Sequence, residues 1–109
     1  MLLLVCYLPK SHFDRITEAI FSAGAGRIGQ YQRCLFRTLG EGRFSPQDGS
    51  DPFFGKNGKD NCVQEYRIEV LCREEIVGRI SQAILRVHPY QEPIFFFQKI
   101  GNHTFSSQA

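Results

Sequence analysis

Hydrophobic and polar positions alternate along the chain in a way that predicts four strands. Residues 2–8 form a continuous apolar run of strand length that Pro9 ends, as expected for a strand covered on both faces. Residues 64–72 alternate cleanly and direct Tyr66, Ile68, Val70 and Cys72 towards a core. Residues 31–39 and 94–100 suit two further strands, of which the last is rich in phenylalanine.

Two other stretches repeat their apolar positions at helical spacing, over residues 11–23 and 74–87. Ser11 is placed to cap the first helix and Asp14 to favour its positive end, while Gly24 suits the left-handed conformation that ends a helix. The second helix is predicted to stop at His88, because the residue before a proline is driven out of the helical region.

Two glycine-rich segments connect these elements. Residues 24–29 could be a phosphate cradle or a helix-to-strand turn, and their position after a helix favours the turn, since phosphate cradles precede a helix. Residues 40–61 are rich in Gly, Pro, Asp, Asn and Ser, and they predict a long loop excursion instead of a tight hairpin.

The resulting order of strand, helix, strand, strand, helix, strand predicts an α+β fold of the ferredoxin-like βαββαβ kind. With right-handed crossovers, both helices cover one face of a four-stranded antiparallel sheet. We expect a single domain over residues 1–109, with 101–109 as a polar C-terminal tail. The opposite sheet face needs its own cover, and the Phe95–Phe97 run predicts that a second copy of the chain supplies it.

Composition and charge narrow the classes of function. The 109 residues suit one hydrophobic core, to which ten Phe and four Tyr bring large apolar areas. A formal charge of +2, with both signs mixed, predicts no nucleic-acid partner. No stretch has the length of a membrane span, and the apolar start lacks the basic segment and cleavage site of an export signal, so we expect a cytoplasmic protein without membrane contact.

The four cysteines carry no pairing or zinc-finger spacing. Each is expected to behave as a small buried hydrophobe with a reduced thiol.

In the predicted topology, three polar, turn-rich segments meet at one end of the sheet, which we call the upper end. They are the start of the first helix, the 40–61 excursion and the 88–93 segment between the second helix and the last strand. Loops that meet at one end of a rigid scaffold are where binding residues usually lie. The candidate ligand- or partner-binding residues are Ser11, His12, Phe44, Pro46, Phe53, His88, Tyr90 and Glu92.

Two interpretations of the upper-end histidines stay open. His12, His88 and Glu92 could bind a divalent metal ion through two nitrogens and an oxygen, with Cys6 or His103 as an additional ligand. Alternatively, the histidines cap the two helices and the prolines make the 88–93 turn rigid. The sequence alone assigns no cofactor other than this divalent ion.

Catalytic constellations are weaker. Cys34 has no orienting partner that the sequence identifies, and a cysteine in a strand is more often inert than nucleophilic. Glu65, Arg67 and Glu69 lie on the outward face of one strand, which favours a solvated ladder over an acid/base pair. No catalytic residue is therefore predicted.

Several motifs, in a fixed order over about residues 3–98, resemble the small domain inserted in bacterial members of the Nif-three-like (NGG-one-interacting-factor-three) family. This domain also occurs as a stand-alone protein. Gln91 departs from the family's HPYEEP turn, and the Phe-rich strand after it is a second departure. The motifs are Ser11-His12, Gly24-Ala25-Gly26-Arg27-Ile28-Gly29, Gly40-x-Gly42-x-Phe44-x-Pro46, Pro52-Phe53-x-Gly55, Glu65-x-Arg67-x-Glu69 and His88-Pro89-Tyr90-x-Glu92-Pro93.

The resemblance implies a fold similar to the CutA divalent-ion-tolerance and PII signalling proteins, which are typically trimers. In PII-like proteins the connection between strands two and three is a recognition loop, and the 40–61 excursion occupies that place. The dinuclear metal site of the full-length relatives belongs to a surrounding domain that this chain lacks, so their hydrolase activity is not transferred. We expect a non-catalytic, homo-oligomeric binding or regulatory module, with a trimer favoured over a dimer. The alternatives are a CutA-like divalent-metal-binding protein and an acid/base hydrolase at a subunit junction.

Overall fold

Four strands and two helices follow one another in the predicted order. The computed structural model describes residues 1–101, so the predicted tail beyond Gly101 and the additional ligand His103 lie outside the described residues. Short 3₁₀ turns at Lys10–His12 and Glu74–Ile76 lead into the helices. The elements are β1 (Leu2–Pro9), α1 (Phe13–Ser22), β2 (Phe36–Phe44), β3 (Asn61–Cys72), α2 (Val77–Val87) and β4 (Phe95–Lys99).

The strands form one antiparallel sheet in the order β2-β3-β1-β4. Leu4 fixes the register at the centre, since it lies opposite Val70 on β3 and Phe97 on β4. Both helices pack on the face of the sheet that these residues share. The predicted α+β ferredoxin-like fold is confirmed.

The core follows the predicted period of two in the strands and the helical period in α1 and α2. Alternate residues of β1 and β3 meet the apolar stripes of the helices, because side chains of a strand point to opposite faces in turn. Phe95 and Phe97 pack against the edge of this core. Its buried members from the strands are Leu2, Leu4, Cys6, Leu8, Ile68, Val70 and Cys72, and from the helices Ile16, Ile20, Ile80 and Ile84.

Strand β2 lies five residues later than predicted. Residues 31–35 belong to a compact loop, in which Arg33 has a φ of 60° that strands do not adopt and the Cys34 N–H donates to the Gly26 carbonyl. The strand then continues to Phe44, so residues 40–44 pair with 61–65 of β3. The predicted 40–61 excursion is therefore wrong at both ends, and the loop between the strands covers only residues 45–60.

The start of the first helix also differs from the prediction. Ser11 makes no cap, because Lys10–His12 form a 3₁₀ turn and the Ser11 Oγ lies 2.9 Å from His12 Nδ1. Thr17, expected on the outer face, is buried, and its hydroxyl donates to the Phe13 carbonyl at 2.9 Å. Gly24 does end the helix with a φ of 109°, as predicted.

The cysteines divide between two environments. Cys6 and Cys72 are buried, as expected, but Cys34 is only partly buried and Cys62 is exposed. Cys62 is exposed because it lies in the part of the β2–β3 hairpin that extends past the helices. All four thiols are free.

No helix covers the other face of the sheet, which we call the open face. It carries the odd-numbered residues of β1 and β3 together with Phe36 of β2 and Phe96 of β4. The Phe36 and Phe96 side chains are 64% and 42% exposed. Within residues 1–101, neither helix combines the length and apolar character needed to cross a membrane.

Candidate functional site

The three segments predicted to meet at the upper end do so. The rings of His12 and Phe53 lie 5.2 Å apart, centroid to centroid, in an edge-to-face arrangement. The Phe53 ring in turn lies 6.3 Å from that of Tyr90. A hydrogen bond from the Asp51 N–H to Gln91 Oε1, at 2.8 Å, joins the 45–60 loop to the turn after α2. The departure at Gln91 thus supplies the acceptor of this link.

Tyr90 connects the turn to the open face of the sheet. Its hydroxyl donates to Glu65 Oε2 at 2.6 Å. Burial first, and then the Glu65 carboxylate, raise the pKa of the Tyr90 hydroxyl above its ordinary value. Tyr90 is therefore protonated across the neutral pH range and remains a donor to Glu65.

Gly42 makes room for the Glu65 carboxylate. The two residues lie on the same face of neighbouring strands, β2 and β3. A Cβ atom at Gly42 would lie 1.9 Å from Glu65 Oε1, well inside van der Waals contact. A glycine at this position therefore allows Glu65 to lie against β2 and reach Tyr90.

His88 stabilises the turn from beneath. The Tyr90 N–H donates to His88 Nδ1 at 3.2 Å, so the proton of the neutral ring is on Nε2, which donates to the Tyr7 carbonyl at 2.8 Å. The Tyr7 N–H donates to the Ile94 carbonyl at 3.1 Å. Burial lowers the pKa of His88, which keeps the ring neutral.

A cavity of about 560 Å³ lies between the β2–β3 hairpin, the 45–60 loop and the 90–94 segment. This volume is within the range of small-molecule sites. Tyr7 and Glu65 of the open face contribute to the wall, and Phe53 and Phe54, about half exposed, stand on the loop side. The wall is mainly aromatic and apolar, with a few acidic groups.

The predicted site residues divide between the cavity and its support. The cavity is lined by Phe44, Pro46, Phe53, Tyr90 and Glu92. Ser11, His12 and His88 do not line it. His12 packs against Phe53 from outside, and His88 holds Tyr90.

Sequence reasoning missed Tyr7 and Glu65 as members of the cavity. Glu65 was assigned to a solvated ladder with Arg67 and Glu69. That ladder holds for the last two, whose Arg67 Nε and Glu69 Oε2 lie 3.2 Å apart, but Glu65 turns to Tyr90 instead. The Gly40-x-Gly42 motif was the available signal, because a strand residue without a side chain leaves space for a neighbour.

The proposed metal ligands have other partners or lie apart. Both ring nitrogens of His88 are hydrogen bonded, and burial raises the pKa of the Cys6 thiol to about 12. Among residues 1–101, no three His, Cys, Asp or Glu side chains are grouped so that they could hold a metal ion.

Comparisons of sequence relate the chain to part of a larger protein. It is 38% identical over 99 residues to a GTP cyclohydrolase 1 type 2 homolog of Halalkalibacterium halodurans, covering 91% of this chain and 27% of the relative. A protein of the same name from Bacillus subtilis is 37% identical over 82% of this chain and 24% of its own length. The chain thus spans about a quarter of the length of these curated relatives. No family model matches it.

Comparisons of structure identify the same segment. A Bacillus cereus protein related to NIF3 superposes with a TM-score of 0.78 and 31% identity, over 93% of this chain and 26% of that chain. The PII-like protein CutA from Nostoc sp. has a TM-score of 0.67 at 18% identity, over 94% of this chain and 83% of its own. The divalent cation tolerance protein CutA from Archaeoglobus fulgidus has a TM-score of 0.69 at 15% identity, over 99% and 92%. At these identities the CutA proteins show the fold alone. Sequence and structure together identify the chain as a CutA/PII-like domain of the kind that forms part of NIF3-related proteins.

Proposed function

We propose that the chain is a non-catalytic binding module whose upper-end cavity holds a small ligand. The observation that carries the proposal is the cavity itself, which three segments distant in sequence build against the open face of the sheet. Hydrogen bonds at Tyr90 and Gln91 fix two of its walls relative to each other. Loops held in this way on a rigid scaffold are suited to recognition.

Binding is favoured over acid/base chemistry by the state of the groups at the site. An efficient general base titrates near the working pH. Tyr90 is shifted the other way, because burial and Glu65 raise its pKa. The match to relatives named GTP cyclohydrolase 1 type 2 homolog covers about a quarter of their length, so the activity in that name is not part of the proposal.

We also propose that the module is a homo-oligomer, with a trimer favoured, in which copies of the chain cover the open face. Phe36 and Phe96 support this, since they leave large apolar areas exposed at the two edge strands of the sheet. Uncovered edge strands with exposed aromatic groups are otherwise an aggregation hazard.

The cavity is tested by titrating the ¹⁵N-labelled protein with three small aromatic probes of different charge: 2-phenylethylamine, 2-phenylethanol and 3-phenylpropionate. We expect at least one probe to shift the amide signals of the cavity wall in a saturable manner. Phe53→Ala should weaken that binding by about tenfold, the loss of one large aromatic contact. Tyr31→Ala is the matched control, because Tyr31 is an exposed loop aromatic outside the cavity.

Two results would contradict the proposed cavity function. One is that none of the three probes shifts signals of the cavity wall. The other is that Phe53→Ala and Tyr31→Ala weaken binding equally, which would indicate unspecific contact with exposed rings.

A further inference from the structure

The cavity combines aromatic rings with negative charge. Five rings face it, which belong to Tyr7, Phe44, Phe53, Phe54 and Tyr90. The faces of such rings carry partial negative charge and attract cations. Three acidic residues also lie in the lining, Glu41, Glu65 and Glu92, against one basic residue, Arg43. The chain as a whole has a net charge of +2, so the acidic character is local to this site.

Glu65 is the best-placed charge of the wall. Its Oε2 accepts the Tyr90 hydroxyl at 2.6 Å, and its side chain lies over the bare backbone of Gly42. Because these contacts fix the carboxylate, little side-chain entropy is lost when it meets a ligand. Among residues 1–101, no Lys, Arg or His nitrogen forms an ion pair with Glu65.

The one basic residue of the lining does not neutralise this carboxylate. The Arg43 guanidinium is hydrogen bonded to the Cys62 side chain, its partner across the hairpin. Cys62 and Glu65 are three positions apart on β3, so their side chains lie on opposite faces of the strand. The charge of Arg43 is therefore on the other side of the hairpin from Glu65.

We propose that the cavity binds a small organic cation, a protonated amine or guanidinium on an apolar body, with Glu65 as its counter-ion and the aromatic rings around the apolar part. This inference rests on the proposed function, since it names the ligand class of the same cavity. A volume of about 560 Å³ suits a molecule of this size.

The three probes of the titration separate charge from shape, because each carries a phenyl ring on a short chain that ends in a positive, neutral or negative group. We expect 2-phenylethylamine to bind about tenfold more tightly than 2-phenylethanol, the order of magnitude of a cation over aromatic faces near a fixed carboxylate. The anion 3-phenylpropionate should bind more weakly than both.

Two variants test the role of Glu65 independently. Glu65→Gln keeps an acceptor for Tyr90 but removes the charge, and it should reduce the amine's affinity to that of the alcohol while leaving the alcohol within about twofold. Glu69→Gln, on the same face of the same strand but outside the cavity, is the matched control. Gly42→Ala should displace the carboxylate and weaken amine binding, whereas Gly40→Ala, which has nothing within 4 Å of its added Cβ, should not.

The outcomes distinguish this inference from the proposed function. If the alcohol or the anion binds at the cavity as tightly as the amine, or if Glu65→Gln leaves the preference for the amine unchanged, the cation inference is wrong and the binding module stands. If none of the three probes binds at the cavity, both are wrong.

Discussion

At the scale of single residues, His88 couples the protonation of one ring to the geometry of the cavity wall. Its Nδ1 accepts the Tyr90 N–H and its Nε2 donates to the Tyr7 carbonyl. A second proton on Nδ1 would place a donor against the Tyr90 N–H. The wall that Tyr90 forms therefore depends on a neutral His88.

The pH dependence of folding follows from this arrangement. Burial lowers the pKa of His88 in the folded chain below the ordinary value of 6.5, so the unfolded chain binds more protons as the pH falls. The contribution of His88 is complete above pH 6.5 and is lost as the pH falls through its folded pKa. We expect the free energy of unfolding, measured with urea, to be lower at pH 5 than at pH 7.5.

The variant His88→Gln isolates this contribution. It should unfold about 1–3 kcal/mol more easily at pH 7.5, because the two hydrogen bonds are imperfectly replaced, and its stability should change less with pH than that of the wild type. His12→Ala is the control, since the His12 ring is only partly buried. An equally steep pH dependence in His88→Gln would contradict the assignment.

The same two variants test the metal alternative. Calorimetric titration with zinc would support a His12, His88 and Glu92 site if the wild type bound the ion and both variants lost it. If zinc uptake is the same in all three proteins, the histidines are not ligands.

The sequence reached Tyr90 and Phe53 but not Glu65, for a physical reason. Turn residues framed by prolines and glycines can be located from their backbone preferences alone. Alternation on a strand says only that Glu65 points away from the helices. Its contact with Tyr90 depends on a neighbour 25 positions away, which no local pattern carries.

At the scale of elements, two glycines in helical surroundings have opposite roles. Gly24 ends α1 with a φ of 109°, and a Cβ there would lie 3.2 Å from Ile76 Cδ1. Gly78 lies inside α2, with nothing within 4 Å of an added Cβ.

Alanine should therefore change stability in opposite directions at these positions. Gly24→Ala is expected to destabilise the fold by about 1–2 kcal/mol, because a left-handed residue without glycine is strained. Gly78→Ala should stabilise it by about 0.5–1 kcal/mol, the difference in helix propensity. Urea unfolding of the two variants measures both values, and equal signs would contradict the reading of Gly24 as a helix end.

The helices and β3 could be predicted closely because each has one buried face and thus a clear period. Strand β2 could not, because most of its residues are exposed on both faces and carry no alternation. Its start is set by the compact 23–35 loop, where the positive φ falls on Arg33, a residue whose type does not announce it.

At the scale of the whole molecule, the open face predicts the oligomeric state. Light scattering should give a mass that is a multiple of the 12.5 kDa chain, and three chains are favoured. Phe96→Glu, on the open face, should shift the protein towards the monomer, because a charge would be buried in the contact. Leu85→Glu is the matched control, since Leu85 is 59% exposed on α2, on the other side of the sheet.

A wild type that is monomeric at micromolar concentration would contradict the oligomer. Equal dissociation by Phe96→Glu and Leu85→Glu would place the contact elsewhere.

The order of elements and the meeting of three segments at the upper end followed from the sequence, since the topology allows few alternatives. The shape of the cavity did not, because it depends on how far the β2–β3 hairpin extends past the helices. That length is set by pairing of residues 40–44 with 61–65, which the glycines at positions 40 and 42 concealed.

The two backbone bonds at Tyr7 limit how the cavity can open. The Tyr7 N–H is held by Ile94 and its carbonyl by His88, so the turn between these residues is tied to the central strand at both ends. The opposite wall, the 45–60 loop, is joined to that turn through Asp51 and Gln91. Breaking this single bond frees the loop to swing while the turn stays in place, which makes the loop the moving part of any entrance.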